Sequence, residues 1–346
     1  MTADNAPHVS LLIPTCNRCK TLQKALVSLA DMDYPSDWFE VVVIDDGSTD
    51  GTGKMIALMR REVPFALVYS RQEQLGIPAA RNAGIRLSRG RILVFTDDDC
   101  RFQSDWLTRL SRHFDTPNLG AVGVPDRNPP DGPFFSQCVD YAVNSLAGSG
   151  GVRQKAGARL ARYLPRGFGM AIPRPVIEAV GGFDETLAAG EDIELSYRVR
   201  KGGYLVSFDP DAFVWHERRG TPRSFIRQMF TRGFTRIELV RRHRGMMEPA
   251  YFFPLVLVAG FTTLACASVF FSLARPVLFG VTAFYGIGIG AAGLHGAARL
   301  KDGRAIFVIP VLLALQHLMY GLGTLAALVV PNAAKAEDAP DLRRQG

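Results

Sequence analysis

Hydrophobic positions in the first hundred residues come in short blocks that switch between two periods. VSLLI (9 to 13) is a continuous apolar run of strand length, and the loop PTCNR separates it from TLQKALVSLA, whose leucines and alanines recur at helical spacing. VVVIDD (41 to 46) predicts a second buried strand, ended by the turn GSTDGT. A helix through Lys54 to Arg60, a strand over LVYS (67 to 70), a helix around AARNAGIRLS and a strand over RILVF follow. Such alternation predicts an α/β domain with a parallel doubly wound sheet and right-handed crossovers. Ligands of these sheets gather beyond the carboxyl ends of the strands. Those ends read Pro14-Thr15 with Asn17 and Arg18, Asp45-Asp46, and Asp97-Asp98-Asp99, so three polar clusters are expected on one rim.

The pattern then loosens. Residues 148 to 160, GSGGVRQKAGARL, are glycine-rich and basic and read as a mobile loop, and GGFDE (181 to 185) reads as a turn. EDIELSYRVRKGG opens on acids and closes on Lys201 and glycines, the polarity of a short helix. YLVSF and AFVWH are two further strand candidates, the second ending on His216. No internal repeat is visible.

Beyond about residue 245 the pattern changes in kind. Residues 249 to 274, 276 to 298 and 305 to 334 contain no Asp, Glu, Lys or Arg, and each is long enough for a bilayer core, which needs about 20 apolar residues. They predict a transmembrane region over 249 to 332 of about three spans, although a re-entrant segment mimics a span and buried core helices share the composition. Arg241, Arg242 and Arg244 precede the first, and Arg299, Lys301 and Arg304 follow the second. An excess of positive charge marks the cytoplasmic side, so the expectation is a multi-pass protein of the plasma membrane whose domain over 1 to 220 is cytosolic. The start, MTADNAPHVS, shows no apolar signal region, and the tail over 333 to 346 is expected to be disordered.

The net charge of +7 fits nucleic acid, a membrane surface or anionic ligands, and its distribution narrows the choice. Residues 223 to 244 carry seven arginines against one glutamate, interleaved with Phe225, Ile226, Met229, Phe230, Phe234 and Ile237. Thr221 and Pro222 read as N-cap and first helical position, so 221 to 245 predicts a basic amphipathic helix on the membrane face, with a plain solvated helix as the alternative. Each arginine near anionic lipid contributes about 1 kcal/mol. No basic sheet with stacked aromatics is present, and no nucleic-acid partner is expected. Cys16 and Cys19 form a C-x-x-C with no second Cys or His pair beside it, which argues against a metal or redox role.

Taken in order, VSLLIPTCNR, VVVIDDGSTDGT, GIPAARNAGI, VFTDDDC, GGFDE, EDIELSYR and VWHERRGTPRSF resemble the family-2 inverting glycosyltransferases with the GT-A fold, a doubly wound mixed sheet, over roughly residues 9 to 240. The resemblance implies a nucleotide-sugar donor, UDP- or GDP-linked, held by Pro14, Thr15, Arg18, Asp45, Asp46, Arg81, Asp97 and Asp98. Thr15, Arg18 and the Asp45-Asp46 pair fall where such enzymes hold the nucleobase and ribose, with Asp46 the better base contact, and Arg81 falls near the nucleotide. Asp97 and Asp99 match the D-x-D element: the second acid ligates a divalent metal, Mg²⁺ or Mn²⁺, and the first supports the ribose or the metal shell. His216 matches a histidine that completes that shell. Asp192 matches the catalytic base, with Glu191 its structural neighbour. Trp215 reads as packing or acceptor stacking.

Chemistry independent of the resemblance agrees. A diphosphate leaving group sheds charge onto a hard cation with oxygen ligands, and such a cation would also relieve the repulsion among three successive aspartates. An acceptor hydroxyl is a poor nucleophile and needs a carboxylate to take its proton. Against these stand plainer roles: an exposed acidic turn for the triplet, a helix N-terminal acid for Asp192, and a structural hydrogen-bonder for His216.

The chain departs from the family pattern in two places. Gly167-Phe168-Gly169-Met170-Ala171 stands where Gly-Gly-Asn and Met-Ala are common, and Gln228 is followed by MFTRG rather than the Q-x-x-R-W of processive synthases. Single-sugar addition is therefore expected, to a lipid-linked or envelope-glycan acceptor. The alternatives are a sugar-phosphate nucleotidyltransferase, for which PTCNRCK is a poor phosphate loop, and a non-catalytic membrane scaffold or sensor that retains the donor site.

Overall fold

A computed structural model describes residues 8–149 and 163–330. The glycine-rich stretch predicted to be mobile, from residue 150 on, and the tail lie outside the described residues. The described residues fall into two compact units, one made of 8–127 and 163–216, the other of 128–149 and 217–330.

The first unit is built on strands β1 (Val9–Thr15), β2 (Phe39–Asp45), β3 (Ala66–Arg71), β4 (Ile92–Phe95), β5 (Cys100–Phe102), β6 (Leu119–Gly123), β7 (Asp126–Arg127), β8 (Met170–Pro173), β9 (Leu205–Phe208) and β10 (Val214–His216). Seven of them form one sheet in the order β3-β2-β1-β4-β8-β6-β9. β1, β2, β3 and β4 pair in parallel; β8 runs antiparallel to both its neighbours, and β6 and β9 are parallel to each other. The sheet is thus mixed, with β8 the one reversed strand.

The continuous apolar runs of β1, β2 and β4 have a simple cause: both faces of the sheet are covered. Leu11, Ile13, Val41 and Val43 pack with Leu22, Leu26, Met55 and Ile56 of the helices Cys19–Ala30 and Thr52–Met59. Leu12, Val42, Ile44, Leu93 and Phe95 turn the other way onto Ala80 of the helix Ile77–Leu87 and Leu195 of the helix Glu191–Lys201. The last helix starts after Gly190 (φ 79°) with Glu191, Asp192 and Glu194 in its first turn and ends on Arg198, Arg200 and Lys201, which complements its dipole. A small second sheet, β5-β10-β7, sets β10 antiparallel to β5 and parallel to β7.

The second unit is helical. Pro222–Arg242 forms the expected basic helix, with the Thr221 side chain accepting from the Ser224 N–H. Its buried stripe, Phe225, Met229 and Ile237, surrounds Gly233, where an added Cβ would lie 2.1 Å from the Tyr320 carbonyl oxygen. Reciprocally, a Cβ on Gly323 would lie 2.1 Å from the Phe230 oxygen. The apolar face expected to meet lipid is therefore occupied, at least in its middle, by the helix Ala305–Val329. Three helices, Pro249–Phe270, Ala274–Leu300 and Ala305–Val329, are long and apolar enough to cross a membrane. Phe270, Phe279, Phe284 and Ile287 lie exposed on the first two, the surface a bilayer would cover. Gln316 and His317, polar interruptions of the third, are buried: Gln316 Nε2 donates to the Gly148 oxygen at 2.6 Å, and His317 lies 2.9 Å from both the Ala147 oxygen and the Tyr285 hydroxyl.

Candidate active site

The parallel register brings the predicted clusters together at the carboxyl ends of β1, β2 and β4. Thr15 ends β1 directly opposite Asp45 at the end of β2, and the Asp46 N–H donates to the Thr15 oxygen at 2.8 Å. Pro14 is buried inside β1 opposite Ile44 and presents no side-chain donor or acceptor. Asp45 accepts from the Ser48 N–H and from the Tyr69 hydroxyl, each at 2.7 Å. Burial and the Asp45 carboxylate push that phenol up to about 12, so it stays a donor. Asp46 accepts from Gln72 Nε2 and from the N–H groups of Leu75 and Gly76. It thereby pins the segment leading into the helix that carries Arg81. A cleft of about 430 Å³, lined by Gly47, Arg71, Gln72, Glu73 and Gln74, opens after Asp46.

The aspartate triplet is not an exposed turn. Asp98 is 4% exposed and accepts from Thr15 Oγ1 at 2.7 Å and Arg18 Nη1 at 2.8 Å. Burial pushes its carboxyl up to about 6, with Arg18 pulling the other way. The same Arg18 nitrogen donates to Asp99 Oδ2 at 2.8 Å. Asp97 pairs with Arg81 Nη2 at 2.9 Å, and Arg81 Nη1 reaches Glu191 Oε1 at 2.6 Å. Arg81, its side chain 3% exposed, lies 5.3 Å from the centre of the Phe183 ring. It therefore joins the end of β4 to the start of the helix Glu191–Lys201. The repulsion among the acids, which the sequence reading left to a bound cation, is already offset in part by Arg18, Arg81 and His216.

The small sheet delivers the histidine. Register pairs His216 with Cys100, next to Asp99. His216 Nε2 lies 3.2 Å from Asp99 Oδ1, and Nδ1 lies 3.6 Å from Asp126 Oδ2 on β7. Burial opposes charge on the imidazole, but Asp99 and Asp126 outweigh it and raise the ring to about 10. The Asp99 carboxyl, half-buried, is held well below the usual range by His216 and Arg18.

Asp97, Asp99 and His216 each offer one ligand atom within 4.8 Å of the others. Among the described residues, Asp99 Oδ1 and His216 Nδ1 are buried without a hydrogen-bond partner. Two carboxylates and an imidazole suit Mg²⁺ or Mn²⁺, so the residues present fit a divalent cation, and the ring must shed its proton to act as a ligand.

Asp192 sits in the first turn of the helix Glu191–Lys201. Its Oδ2 accepts from the Gly167 N–H at 2.9 Å and its Oδ1 from the Ile193 N–H at 2.7 Å, which fixes the plane of the carboxylate. Because β8 is reversed, the residues before it lie at the same end of the sheet as the triplet: Met170 is opposite Phe95, and the Phe168 oxygen accepts from Thr96. Gly167 is tightly placed, since an added Cβ would lie 2.3 Å from Arg81 Nη2. Sequence reasoning missed Asp126, the Arg81–Glu191 bridge and the closeness of Gly167 to Arg81. None of these leaves a local signal.

A mixed sheet of this order, with an acidic rim at its carboxyl end and a small accessory sheet, defines a glycosyltransferase of the GT-A type. The chain belongs to glycosyl transferase family group 2, matched over residues 92–326, and residues 10–165 also match the glycosyl transferase family 2 domain. It is similar to glycosyltransferase AglE of Haloferax volcanii, 27% identical over 256 residues covering 74% of this chain and 81% of the relative. Succinoglycan biosynthesis protein ExoA of Rhizobium meliloti is 28% identical over 262 residues, covering 74% and 78%. Its fold is shared by a mannosyltransferase from Pyrobaculum calidifontis solved with GDP-Man and Mn²⁺, with TM-score 0.60 and 22% identity over 93% of this chain and 87% of that one.

Proposed function

We propose that the protein moves a single sugar, with inversion, from a nucleoside-diphosphate sugar to an acceptor hydroxyl on a lipid-linked or envelope-glycan precursor at the cytoplasmic face of the plasma membrane. The observation that carries this reading is the convergence of Asp97, Asp99 and His216 to within 4.8 Å, with two buried atoms that accept or donate no hydrogen bond, in a unit that also fixes the Asp192 carboxylate. In this reading Asp97, Asp99 and His216 hold Mg²⁺ or Mn²⁺, which when bound stabilises the negative charge of the departing diphosphate.

The chain's own groups do the rest. Thr15, Asp45 and Asp46 border the nucleoside, and the cleft lined by Gly47 and Arg71 to Gln74 takes its base. Asp192, oriented by two backbone N–H groups, retains lone pairs to accept the acceptor's proton as the new bond forms. Attack from the side away from the diphosphate inverts the anomeric carbon. Three helices able to span a membrane favour an acceptor at the bilayer, and the Rhizobium meliloti relative, named for succinoglycan biosynthesis, favours a glycan precursor.

GDP-mannose with Mn²⁺, the pair in the solved mannosyltransferase, is the first donor to try, followed by UDP-sugars and Mg²⁺. Full-length protein in vesicles should turn over a donor only with the cation. Chelation should stop it, and Asp192→Asn should lower kcat about 10²- to 10⁴-fold while cation-dependent nucleotide binding persists. Turnover that survives both chelation and Asp192→Asn rejects the mechanism. A water-soluble acceptor used as fast as a lipid-linked one rejects the bilayer acceptor.

A further inference from the structure

Two arginines serve the acidic rim, and they are held differently. Arg81 is buried and spends one terminal nitrogen on each of two acids, a rigid bridge between secondary-structure elements. Arg18 lies in the loop before the helix Cys19–Ala30, its side chain 27% exposed, and contacts Asp98 Oδ1 and Asp99 Oδ2 through one nitrogen, Nη1. Its Nε and Nη2 make no hydrogen bond among the described residues. The guanidinium is therefore anchored through a single nitrogen, and it sits on Oδ2 of the same carboxylate whose Oδ1 is open to a cation.

We infer that Arg18 is a place-holding cation. Without a divalent ion it sits on Asp98 and Asp99 and keeps the buried carboxylates from repelling one another. When an ion is seated, Arg18 is repelled from Asp99 and turns its guanidinium fork to the donor's diphosphate, for which planar bidentate donors are suited. An ion on Asp99 and the Arg18 pairing compete for the same carboxylate, so seating the ion loosens Nη1 from Asp99 and lets the whole guanidinium turn to the diphosphate. Arg18 is then a positioning residue that couples two binding steps. This inference rests on the metal-dependent reading above.

The test reads binding rather than turnover. Mn²⁺ affinity of full-length protein in detergent is measured by electron paramagnetic resonance without nucleotide, and GDP and UDP affinities are measured at saturating Mn²⁺, for wild type, Arg18→Met and Arg18→Lys. Arg18→Met should bind Mn²⁺ at least five-fold tighter than wild type, because a competing cation is gone, and should bind the preferred nucleoside diphosphate at least ten-fold more weakly. Arg18→Lys, which keeps the charge and loses the fork, should stay near wild type for Mn²⁺ yet lose nucleotide affinity. Should Arg18→Met fail to fold without metal, its recovery by Mn²⁺ alone supports the role, and failure to recover overturns it. Unchanged or weaker Mn²⁺ binding by a folded Arg18→Met overturns the place-holder, and unchanged nucleotide affinity overturns the swing. A wild-type protein that binds no Mn²⁺ overturns the metal-dependent reading itself, an outcome separate from these.

Discussion

The central strands carry buried acids at both ends, and the two ends are finished differently. At the amino end Glu40 on β2 is fully buried, accepting from Ser10 Oγ at 2.7 Å and from the Arg89 N–H at 2.6 Å, with the Arg89 side chain at 3.2 Å from its second oxygen. The Gly90 N–H donates in turn to Ser10 Oγ. At the carboxyl end, Asp97, Asp98, Asp99, Asp126, Glu191 and Asp192 gather around Arg18, Arg81 and His216, and Asp99 Oδ1 and His216 Nδ1 are left without hydrogen bonds. A buried charge whose partners are complete holds a fold together. A buried cluster with atoms to spare has room in its chemistry for something else.

The largest effect that would break this contrast is at the amino end. Glu40→Ala strands the Ser10 hydroxyl and the Arg89 N–H, each costing about 1–3 kcal/mol, so about 3–4 kcal/mol of stability should be lost. Denaturant unfolding measures it, and at low temperature the folded fraction should keep its kcat. If activity instead fell without loss of stability, the closed end would be part of the machinery.

Gly167→Ala should do the converse. The added methyl lands 2.3 Å from Arg81 Nη2 and 2.6 Å from its Cζ, and the arginine cannot retreat without leaving Asp97 or Glu191. Gly167 also donates the N–H that orients Asp192. A displacement near 1 Å in such a site costs about 10²-fold in rate, equivalent to about 2.7 kcal/mol in the barrier. Steady-state kinetics on the folded variant should show the loss in kcat more than in donor KM. Wild-type kinetics would mean that the Arg81 bridge does not position the site.

How much of this was legible follows from what each feature writes locally. β1, β2 and β4 were readable because burial on both faces writes unbroken apolar runs, and their polar ends followed from the rule for parallel sheets. The reversal of β8 was not, since MAIP is four residues long and hydrophobic period says nothing about strand direction. β7, two residues long, falls below any periodic signal. Within the site, the aspartate triplet and His216 were found by motif, but Arg81 and Glu191 are 110 residues apart and meet only through the tertiary fold. The basic helix was read correctly as a helix, while Gly233, at its crossing with Gly323 of Ala305–Val329, gave no hint that its apolar face already had a protein partner.

Asp209 sharpens the comparison, because it lies at the carboxyl end of β9 and so at the same end of the sheet as the candidate active site. Position alone would make it a ligand candidate. Its Oδ1 accepts from the N–H groups of Asp211 and Ala212, and its Oδ2 lies 3.0 Å from His113 Nε2, so its partners are complete like those of Glu40. Burial raises its carboxyl, yet the His113 contact and the two N–H groups outweigh this and lower it overall. A lowered folded value means the group stabilises the native state above its unfolded value, near 3.9, and that this contribution is lost as pH falls through the folded value. Asp209→Asn should therefore cost about 1 kcal/mol at neutral pH, and its melting temperature should converge on that of the wild type as pH falls below about 4. Turnover and Mn²⁺ binding should not move. If Asp209→Asn weakened Mn²⁺ binding instead, buried atoms without hydrogen bonds, such as Asp99 Oδ1 and His216 Nδ1, would fail as the mark of the cation site.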